Sequence, residues 1–220
     1  MVLSTPRHKL CNKIQKLICI IILASTFTQA QFIKGYGFKV GAVSATQTWD
    51  FNINIKPDIE RRWGIDAGVF IEFVDLPYVS LLGELHYIQK GYTEKFIETT
   101  PTYPEGTGRY ITIKPRVDYL SLPLLAKIRY DIGTVSPYIL IGPRFDFLIG
   151  NDPQYVGSIL DKFKKNDMGI SAGVGIEIPT SAIQAVLFEF KYSPTFNKSY
   201  NNNILTIKNQ SVELLVGIKL

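Results

Sequence analysis

Residues 119–149 read YLSLPLLAKIRYDIGTVSPYILIGPRFDFLI, and they contain two runs of alternating side chains. A short link carrying Asp131, Gly133 and Ser136 joins the runs. Successive side chains of a β-strand point to opposite faces, so each run presents one mainly apolar face. The alternation lasts about a dozen residues per run, whereas strands average about six residues and a tilted membrane-spanning strand needs about 9 to 11. The stretch therefore predicts a membrane-spanning β-hairpin.

The same alternation recurs along the rest of the chain. Eight strands are predicted, at about residues 35–47, 65–73, 79–90, 119–130, 135–148, 168–178, 186–192 and 211–220. Long connections at 48–63, 93–115, 150–166 and 193–210 alternate with short ones near 75–77, 131–134 and 179–182. We expect the segment 93–115, which contains Pro101, Pro104, Gly106 and Gly108, to be turns and irregular backbone. Alternating long loops and short turns are typical of an up-and-down transmembrane barrel, whose periplasmic turns are short.

The first 30 residues have the pattern of a secretory signal peptide. They combine a basic start with the apolar run LICIIILASTF at 17–27 and a small residue, Ala30, before the expected cut. An uncleaved anchor is the alternative, but a spanning helix needs about 20 apolar residues. The predicted domains are thus a signal peptide at 1–30 and a barrel at 31–220. The basic residues of the start are Arg7, Lys9, Lys13 and Lys16.

Cleavage would change both the charge and the cysteine content. It removes 4 of the 24 Lys and Arg and none of the 19 acids, which leaves 20 bases against 19 acids. A near-neutral chain gives no reason to expect a nucleic-acid partner. Cys11 and Cys19 leave with the peptide, so we expect no disulfide and no Cys-based metal site.

The polar face of the predicted strands carries seven acids and seven bases. Balanced charge suits a closed interior, because an unpaired ion costs several kcal/mol to desolvate. Glycines on the same face would leave room for long side chains in a narrow lumen. A soluble lipocalin-type barrel would also alternate, but with its apolar face inside. The fourteen residues are Lys39, Asp66, Glu72, Glu84, Lys90, Lys127, Arg129, Arg144, Asp146, Glu177, Glu189, Lys191, Glu213 and Lys219.

The apolar face is expected to contact lipid. It has almost no ionised side chain within the strand cores, and its tyrosines lie towards the strand ends, where interfacial rings are favoured. Those tyrosines are Tyr36, Tyr87, Tyr130 and Tyr192.

Residues with catalytic potential are few. His86 lies on the lumen face with Glu84, and a packing role is favoured over a general base or metal ligand. Ser80 is six residues away, about 20 Å along a strand, so it cannot pair with His86 as a nucleophile. Arg144 and Asp146 are interpreted as a lumen ion pair.

Two further patterns have simple structural interpretations. The glycines at 173–175 (GVG) precede no helix and so do not indicate a phosphate-binding loop. Acidic loop residues could bind divalent cations that bridge lipopolysaccharide, although solvated loop charge is the simpler interpretation. They are Asp50, Asp58, Glu60, Asp152 and Asp161. No catalytic residue, cofactor or metal is assigned.

Several stretches resemble the small outer-membrane barrel family of the Bacteroidota, often called porin-family or PorT-like proteins. The most specific are YLSLPLLAKIRY at 119–130 and PYILIGP at 137–143. Others are GFKVG at 37–41, ELHYIQKG at 84–91, DMGISAGVGIE at 167–177, FKYS at 190–193 and NQSVELLVGIKL at 209–220. The resemblance covers the whole of residues 31–220. It implies membership and location, while the family's link to gliding and protein secretion does not follow from these motifs.

These observations predict an all-β, eight-stranded antiparallel barrel in the Gram-negative outer membrane. We expect a non-enzymatic envelope protein with a charge-filled lumen that conducts poorly, since a wide pore needs about 16 strands. Expected partners are outer-membrane lipid, lipopolysaccharide, the barrel-assembly and periplasmic chaperone machinery, and an envelope component bound through the loops. The alternatives are a PorT-like secretion or gliding component, a soluble ligand carrier and an outer-membrane lipid-modifying enzyme.

Overall fold

A computed structural model describes residues 33–52, 57–74, 76–152, 154 and 162–220. The predicted signal peptide with its cysteines, the turn residue Asp75 and the acidic residue Asp161 lie outside these residues. Within the described ranges, no helix has the length and apolar character needed to cross a membrane. The strands there are β1 (Ile33–Phe51), β2 (Ile59–Glu60), β3 (Arg62–Phe73), β4 (Val79–Gly91), β5 (Thr93–Ile97), β6 (Tyr110–Ile113), β7 (Arg116–Arg129), β8 (Ser136–Asp152), β9 (Asn166–Pro179), β10 (Ala185–Pro194), β11 (Tyr200–Asn201) and β12 (Leu205–Lys219).

Eight long strands form a closed antiparallel barrel. Their order is β1, β3, β4, β7, β8, β9, β10 and β12. The barrel closes because β1 pairs with β12 in one unbroken register, from Gly37 opposite Lys219 to Phe51 opposite Leu205. Closure leaves no unpaired edge among these strands, which is what a spanning sheet requires. The predicted eight-stranded barrel is confirmed.

The two faces of the barrel wall differ as predicted. On β1, Tyr36, Phe38 and Val40 point outward and are about half exposed, whereas Lys39 between them is 1% exposed. On β7, Leu124 and Ile128 are exposed on either side of the buried Lys127. The charged residues therefore line the lumen, and the apolar ones form the outer surface.

The connections fall into two classes at the two ends of the barrel. Residues 74–78, 130–135 and 180–184 link neighbouring strands by short turns at one end. The connections between β1 and β3, β4 and β7, β8 and β9, and β10 and β12 lie at the other end and are longer. By the usual arrangement of such barrels, the first end is the inner, periplasmic one and the second is the outer one.

The long connections contain more strand than the sequence pattern indicated. Residues 98–109 are turns and irregular backbone, as predicted, but the prediction is wrong for residues 93–97 and 110–113. There β5 and β6 form a hairpin, and β2 from the preceding connection adds a third strand. We call this small sheet at the outer end the crown. The fourth long connection is also shorter than predicted, because β10 continues to Pro194 and β12 begins at Leu205. Likewise, β1 continues to Phe51 and β3 begins at Arg62.

Candidate functional site

The charged lumen is organised in layers along the barrel axis, and the innermost layer is a four-residue ring. Lys127 Nζ lies 2.5 Å from Glu177 Oε2, and Lys219 Nζ lies 2.7 Å from Glu72 and 3.2 Å from Glu177. Ser80 donates a hydrogen bond of 2.6 Å to Glu72. The two cations and two carboxylates come from β3, β7, β9 and β12, so the ring ties together strands that are not all neighbours.

The middle layer is centred on Lys39. Its ammonium donates to Glu84 and, at 2.6 Å, to Glu189. Lys191 Nζ lies 2.9 Å from the other oxygen of Glu84. His86 occupies the same level, with Nε2 at 3.4 Å from Glu84 and Nδ1 at 2.5 Å from the Asp66 carboxylate. Every group of this layer thus faces an opposite charge or an acceptor.

A third charged layer lies nearer the outer end. Lys90 Nζ is 2.6 Å from Asp146, and Arg144 Nε is 3.1 Å from the other oxygen of the same carboxylate. Arg144 also approaches Glu213 at 3.7 Å, and Ser121 donates a 2.6 Å hydrogen bond to Asp146. Arg144 and Asp146 are therefore a lumen ion pair, as predicted.

Apolar clusters separate and cover these charged layers. One cluster lies between the inner and middle layers and consists of Phe70, Leu82, Leu125, Tyr138, Leu140 and Leu187. The other fills the outer mouth with Val43, Ala45, Ile88, Val117, Tyr119, Phe163, Leu205 and Ile207. Phe163 comes from the connection between β8 and β9 and is buried there, so a loop side chain helps to cap the lumen. The alternation pattern did not predict this apolar cap.

Small residues on the lumen face make these layers possible. A Cβ at Gly68 would come within 2.5 Å of the His86 ring, and a Cβ at Gly175 within 2.4 Å of the Tyr138 ring. The lack of a side chain at each glycine therefore leaves room for the large side chain of the residue paired with it on the neighbouring strand. Gly173 and Gly175 lie on β9 against neighbouring side chains, which agrees with the predicted packing role.

The residues with catalytic potential are held in structural contacts. Ser80 is bonded to Glu72 in the inner layer, away from His86 in the middle layer. His86 is buried between two carboxylates, which agrees with the predicted packing role. The prediction that Arg129 lies in the lumen is wrong. Arg129 is half-buried at the inner rim, and its Nε lies 3.2 Å from the carboxylate of the exposed Asp131. It lies at the end of β7, where the wall opens to solvent.

A polar network that the sequence patterns did not predict lies below the outer cap. Asp167 is 1% exposed and accepts hydrogen bonds from Ser199 at 2.6 Å and Asn209 at 3.0 Å. Tyr119 donates to the same carboxylate at 3.3 Å. Ser199 lies in the connection between β10 and β12, so this network fastens that loop to the barrel. The only hint in the sequence was an acid on the inward parity at the start of β9.

The crown has two unlike faces. Directly paired residues of antiparallel strands share a face, so Ile59, Glu94 and Ile113 lie on one side and Glu60, Thr93, Lys95 and Thr112 on the other. Ile113 is buried and Glu94 half-buried, whereas Glu60, Lys95 and Thr112 are exposed. Partial burial raises the pKa of Glu94, and the hydrogen bond to Glu60 raises that of Lys95.

An open cavity of about 680 Å³ lies beside the exposed face of the crown. It is lined by Glu60, Arg61, Arg62, Trp63, Thr93, Lys95, Thr112 and Lys114. Four of these side chains are cationic and one is acidic. Lys95 Nζ is 2.7 Å from Glu60, and Arg61 donates a 2.9 Å hydrogen bond to the Ser44 carbonyl.

The acidic loop residues do not gather into a metal site. Across the ranges that the structure describes, no group of three or more His, Cys, Asp or Glu side chains is placed to hold a metal ion. Glu60, one of the five candidates, is paired with Lys95 instead.

Comparison with known proteins gives a family and a set of similar barrels. Residues 29–201 match the family described as outer membrane protein beta-barrel domain. No curated protein matches the chain. Similar solved structures include Ail, the attachment invasion locus protein of Yersinia pestis, with 12% identity over 84% of this chain and 98% of that one, at a TM-score of 0.41.

Two structures from Escherichia coli are also similar. Outer membrane protein W shares 11% identity over 87% of this chain and 100% of its own, with a TM-score of 0.42. The outer membrane protease OmpT shares 12% identity over 87% and 99%, also at 0.42.

Proposed function

This chain belongs to the outer membrane protein beta-barrel domain family and lies in the outer membrane, and on that premise we propose that it is a non-enzymatic envelope protein. Its barrel anchors the outer loops and its lumen stays closed. The soluble-carrier alternative is excluded by the family, and also by the apolar side chains that cover the outside of the barrel.

The layered lumen is the observation that carries this proposal. The three charged layers neutralise themselves by short contacts between strands. One apolar cluster separates the inner and middle layers, and the other covers the outer mouth. A permeating ion would have to separate paired charges in a low-dielectric interior, which costs several kcal/mol. Opening the barrel wall would also break the hydrogen bonds of the β1–β12 pair, in which β12 is matched over its full length.

The absence of an assigned chemistry in the lumen supports a non-enzymatic role. His86 is enclosed by Asp66 and Glu84, and Ser80 is committed to Glu72. Neither side chain has the exposure that a nucleophile or general base needs to reach a substrate.

The proposed working surface is therefore the outer end, where the crown and the other loops meet the cell surface. We expect outer-membrane lipid and lipopolysaccharide around the wall, and an envelope component against the loops. We also expect the barrel-assembly and periplasmic chaperone machinery to handle the chain before it inserts.

Three measurements test this proposal. The refolded protein in a planar bilayer should show no stepwise conductance, whereas a steady ion-selective current would contradict the closed lumen. Cross-linking in intact cells should trap an envelope component through the outer loops. A His86→Ala variant provides the control for chemistry, since loss of a lipid- or peptide-hydrolysing activity in that variant would overturn the non-enzymatic assignment.

The finer assignment is a Bacteroidota barrel of the PorT-like kind. It is supported by the motifs at 119–130 and 137–143, which lie on β7 and β8. Deleting the gene and measuring gliding and protein secretion would test this assignment. Normal gliding and secretion in the deletion strain would remove the PorT-like role and leave the family membership unchanged.

A further inference from the structure

We propose that the basic cavity beside the exposed face of the crown binds the phosphate groups of lipopolysaccharide in the outer leaflet, with Trp63 at the edge of the apolar wall. This inference rests on the proposed function, since it names one envelope component that the outer end contacts. The occupant is the phosphorylated head of the lipid, with its acyl chains lying along the barrel wall.

The charge of the cavity is the first argument. Arg61, Arg62, Lys95 and Lys114 line it, and Glu60 is its one acidic residue. Glu60 is within 2.7 Å of Lys95, and Asp118 and Asp152 attract Arg62. The unmatched positive charge of the cavity therefore lies on Arg61 and Lys114. This imbalance contrasts with the matched charges of the lumen, and it complements an anion. Arginine and lysine together are well suited to phosphate, because guanidinium and ammonium groups form charge-assisted hydrogen bonds with it.

The cavity lies at the outer end of the apolar barrel wall. Trp63 is 71% exposed and is the residue of the lipid-facing side of β3 nearest the outer end. Ile65, Val69 and Ile71 follow it on the same side towards the periplasmic end. From Trp63 to Phe73 the strand rises about 33 Å, or about 25 Å along the barrel axis at a tilt of about 40°. That height matches the apolar band of about 25 Å in such barrels. Trp63 thus lies where an interfacial ring is favoured, and the basic face lies at the level of the lipid heads.

Strand pairing and hydrogen bonds hold the exposed face of the crown in place. The two pairings of the crown hold Glu60, Thr93, Lys95 and Thr112 on one side. Thr93 donates a hydrogen bond to the Arg61 carbonyl, which joins the crown to the segment leading into β3. Arg61 in turn bonds to the Ser44 carbonyl of β1. Lys95 lies on the same crown strand as Thr93, so these hydrogen bonds connect that strand through Arg61 to the barrel wall.

The test uses the full barrel in phosphatidylcholine vesicles that contain diphosphoryl lipid A, or lipid A stripped of its phosphates. After extraction into detergent, the lipid A that stays with the protein is measured by mass spectrometry. The test variant is Arg61→Gln/Lys95→Gln/Lys114→Gln. The matched control is Lys162→Gln/Lys164→Gln/Lys165→Gln, which removes three exposed cations from another outer connection. Heat-dependent gel mobility confirms that each variant is folded.

The wild-type protein and the control variant should retain diphosphoryl lipid A and release the dephosphorylated form. The test variant should retain roughly tenfold less, because charge-assisted contacts to phosphate are lost. Equal retention by the test variant would overturn the proposal. So would an equal loss in the control, which would indicate diffuse attraction, or equal retention of dephosphorylated lipid A. Conductance and loop cross-linking are measured separately, so failure here is distinguishable from failure of the proposed function.

Discussion

The lumen and the crown use the same kinds of cation in opposite ways. The Lys39 side chain is completely buried and lies between Glu84 and Glu189, whereas the Lys95 side chain is 47% exposed and has Glu60 as its neighbour. A buried charge must be neutralised where it lies, because the interior cannot screen it. An exposed charge is screened by water and remains available to a ligand. The comparison teaches that the balance of charge, more than its amount, separates the structural part of this barrel from its binding part.

Breaking the middle layer should have the largest effect. Lys39→Met leaves Glu84 and Glu189 in the lumen with one cation fewer, and removing one partner of a buried pair costs about 3–5 kcal/mol. Urea unfolding in lipid vesicles measures this loss. Adding Glu189→Gln to Lys39→Met should restore part of it, because the surplus negative charge disappears. Equal stability of Lys39→Met and the wild type would show that the layer does not stabilise the barrel.

Adding a methyl group at a lumen glycine should cause the next largest loss of stability. Gly175→Ala places a Cβ within 2.4 Å of the Tyr138 ring, and overpacking of this kind costs about 1–3 kcal/mol. The control is Gly150→Ala, where the nearest atom would be 3.7 Å away. Urea unfolding should show a loss for Gly175→Ala and about 0.5 kcal/mol or less for Gly150→Ala, as for other surface changes. A loss of the same size at both positions would contradict the packing explanation.

Removing a crown cation should hardly change stability. Lys95→Met deletes an exposed pair with Glu60, and such pairs contribute little to stability because water and salt screen them. The same methionine substitution at Lys39 is the matched comparison, because it tests one chemistry in the two regions. A loss at Lys95 as large as that at Lys39 would remove the distinction between a structural lumen and an available crown.

The smallest expected effect concerns the turn between β7 and β8. The hydrogen bond that Ser136 donates to Asp131, 2.6 Å long, lowers the pKa of that exposed carboxyl. Ser136→Ala should raise this pKa towards its ordinary value, which carboxyl NMR titration can follow. A group whose pKa is lowered by folding stabilises the protein above its unfolded pKa and loses that contribution as pH falls through the folded pKa. The variant and wild-type stabilities should therefore converge in acid, and an unchanged pKa would contradict this assignment.

The wall of the barrel could be predicted because one rule determines it. Alternation along a strand assigns each side chain to a face, so the outward position of Val40 and the inward position of Lys39 follow from parity alone. The same rule predicted Lys127 and Glu189 in the lumen. It could also locate the long and short connections, since breaks in the alternation mark them.

The layers and the crown could not be predicted because they depend on strands far apart in the sequence. Parity does not say that Lys39 meets Glu84 and Glu189, since strand order and the stagger of the closed sheet decide which levels coincide. The crown strands are too short for alternation to identify them. The prolines and glycines between β5 and β6 also favoured irregular backbone over strand for the whole segment. Phe163 enters the mouth from a loop, where no periodic signal exists.

The pairing of β1 with β12 sets the order of events in the life of the chain. β1 can pair with β12 only after the segments between them have been synthesised. Lys39 on β1 likewise pairs with Glu189, which is 150 residues further along the chain. Until then, the lumen charges are not enclosed by a complete barrel wall. We therefore expect closure of the barrel to be among the last steps of folding, because it needs strands from both ends of the wall.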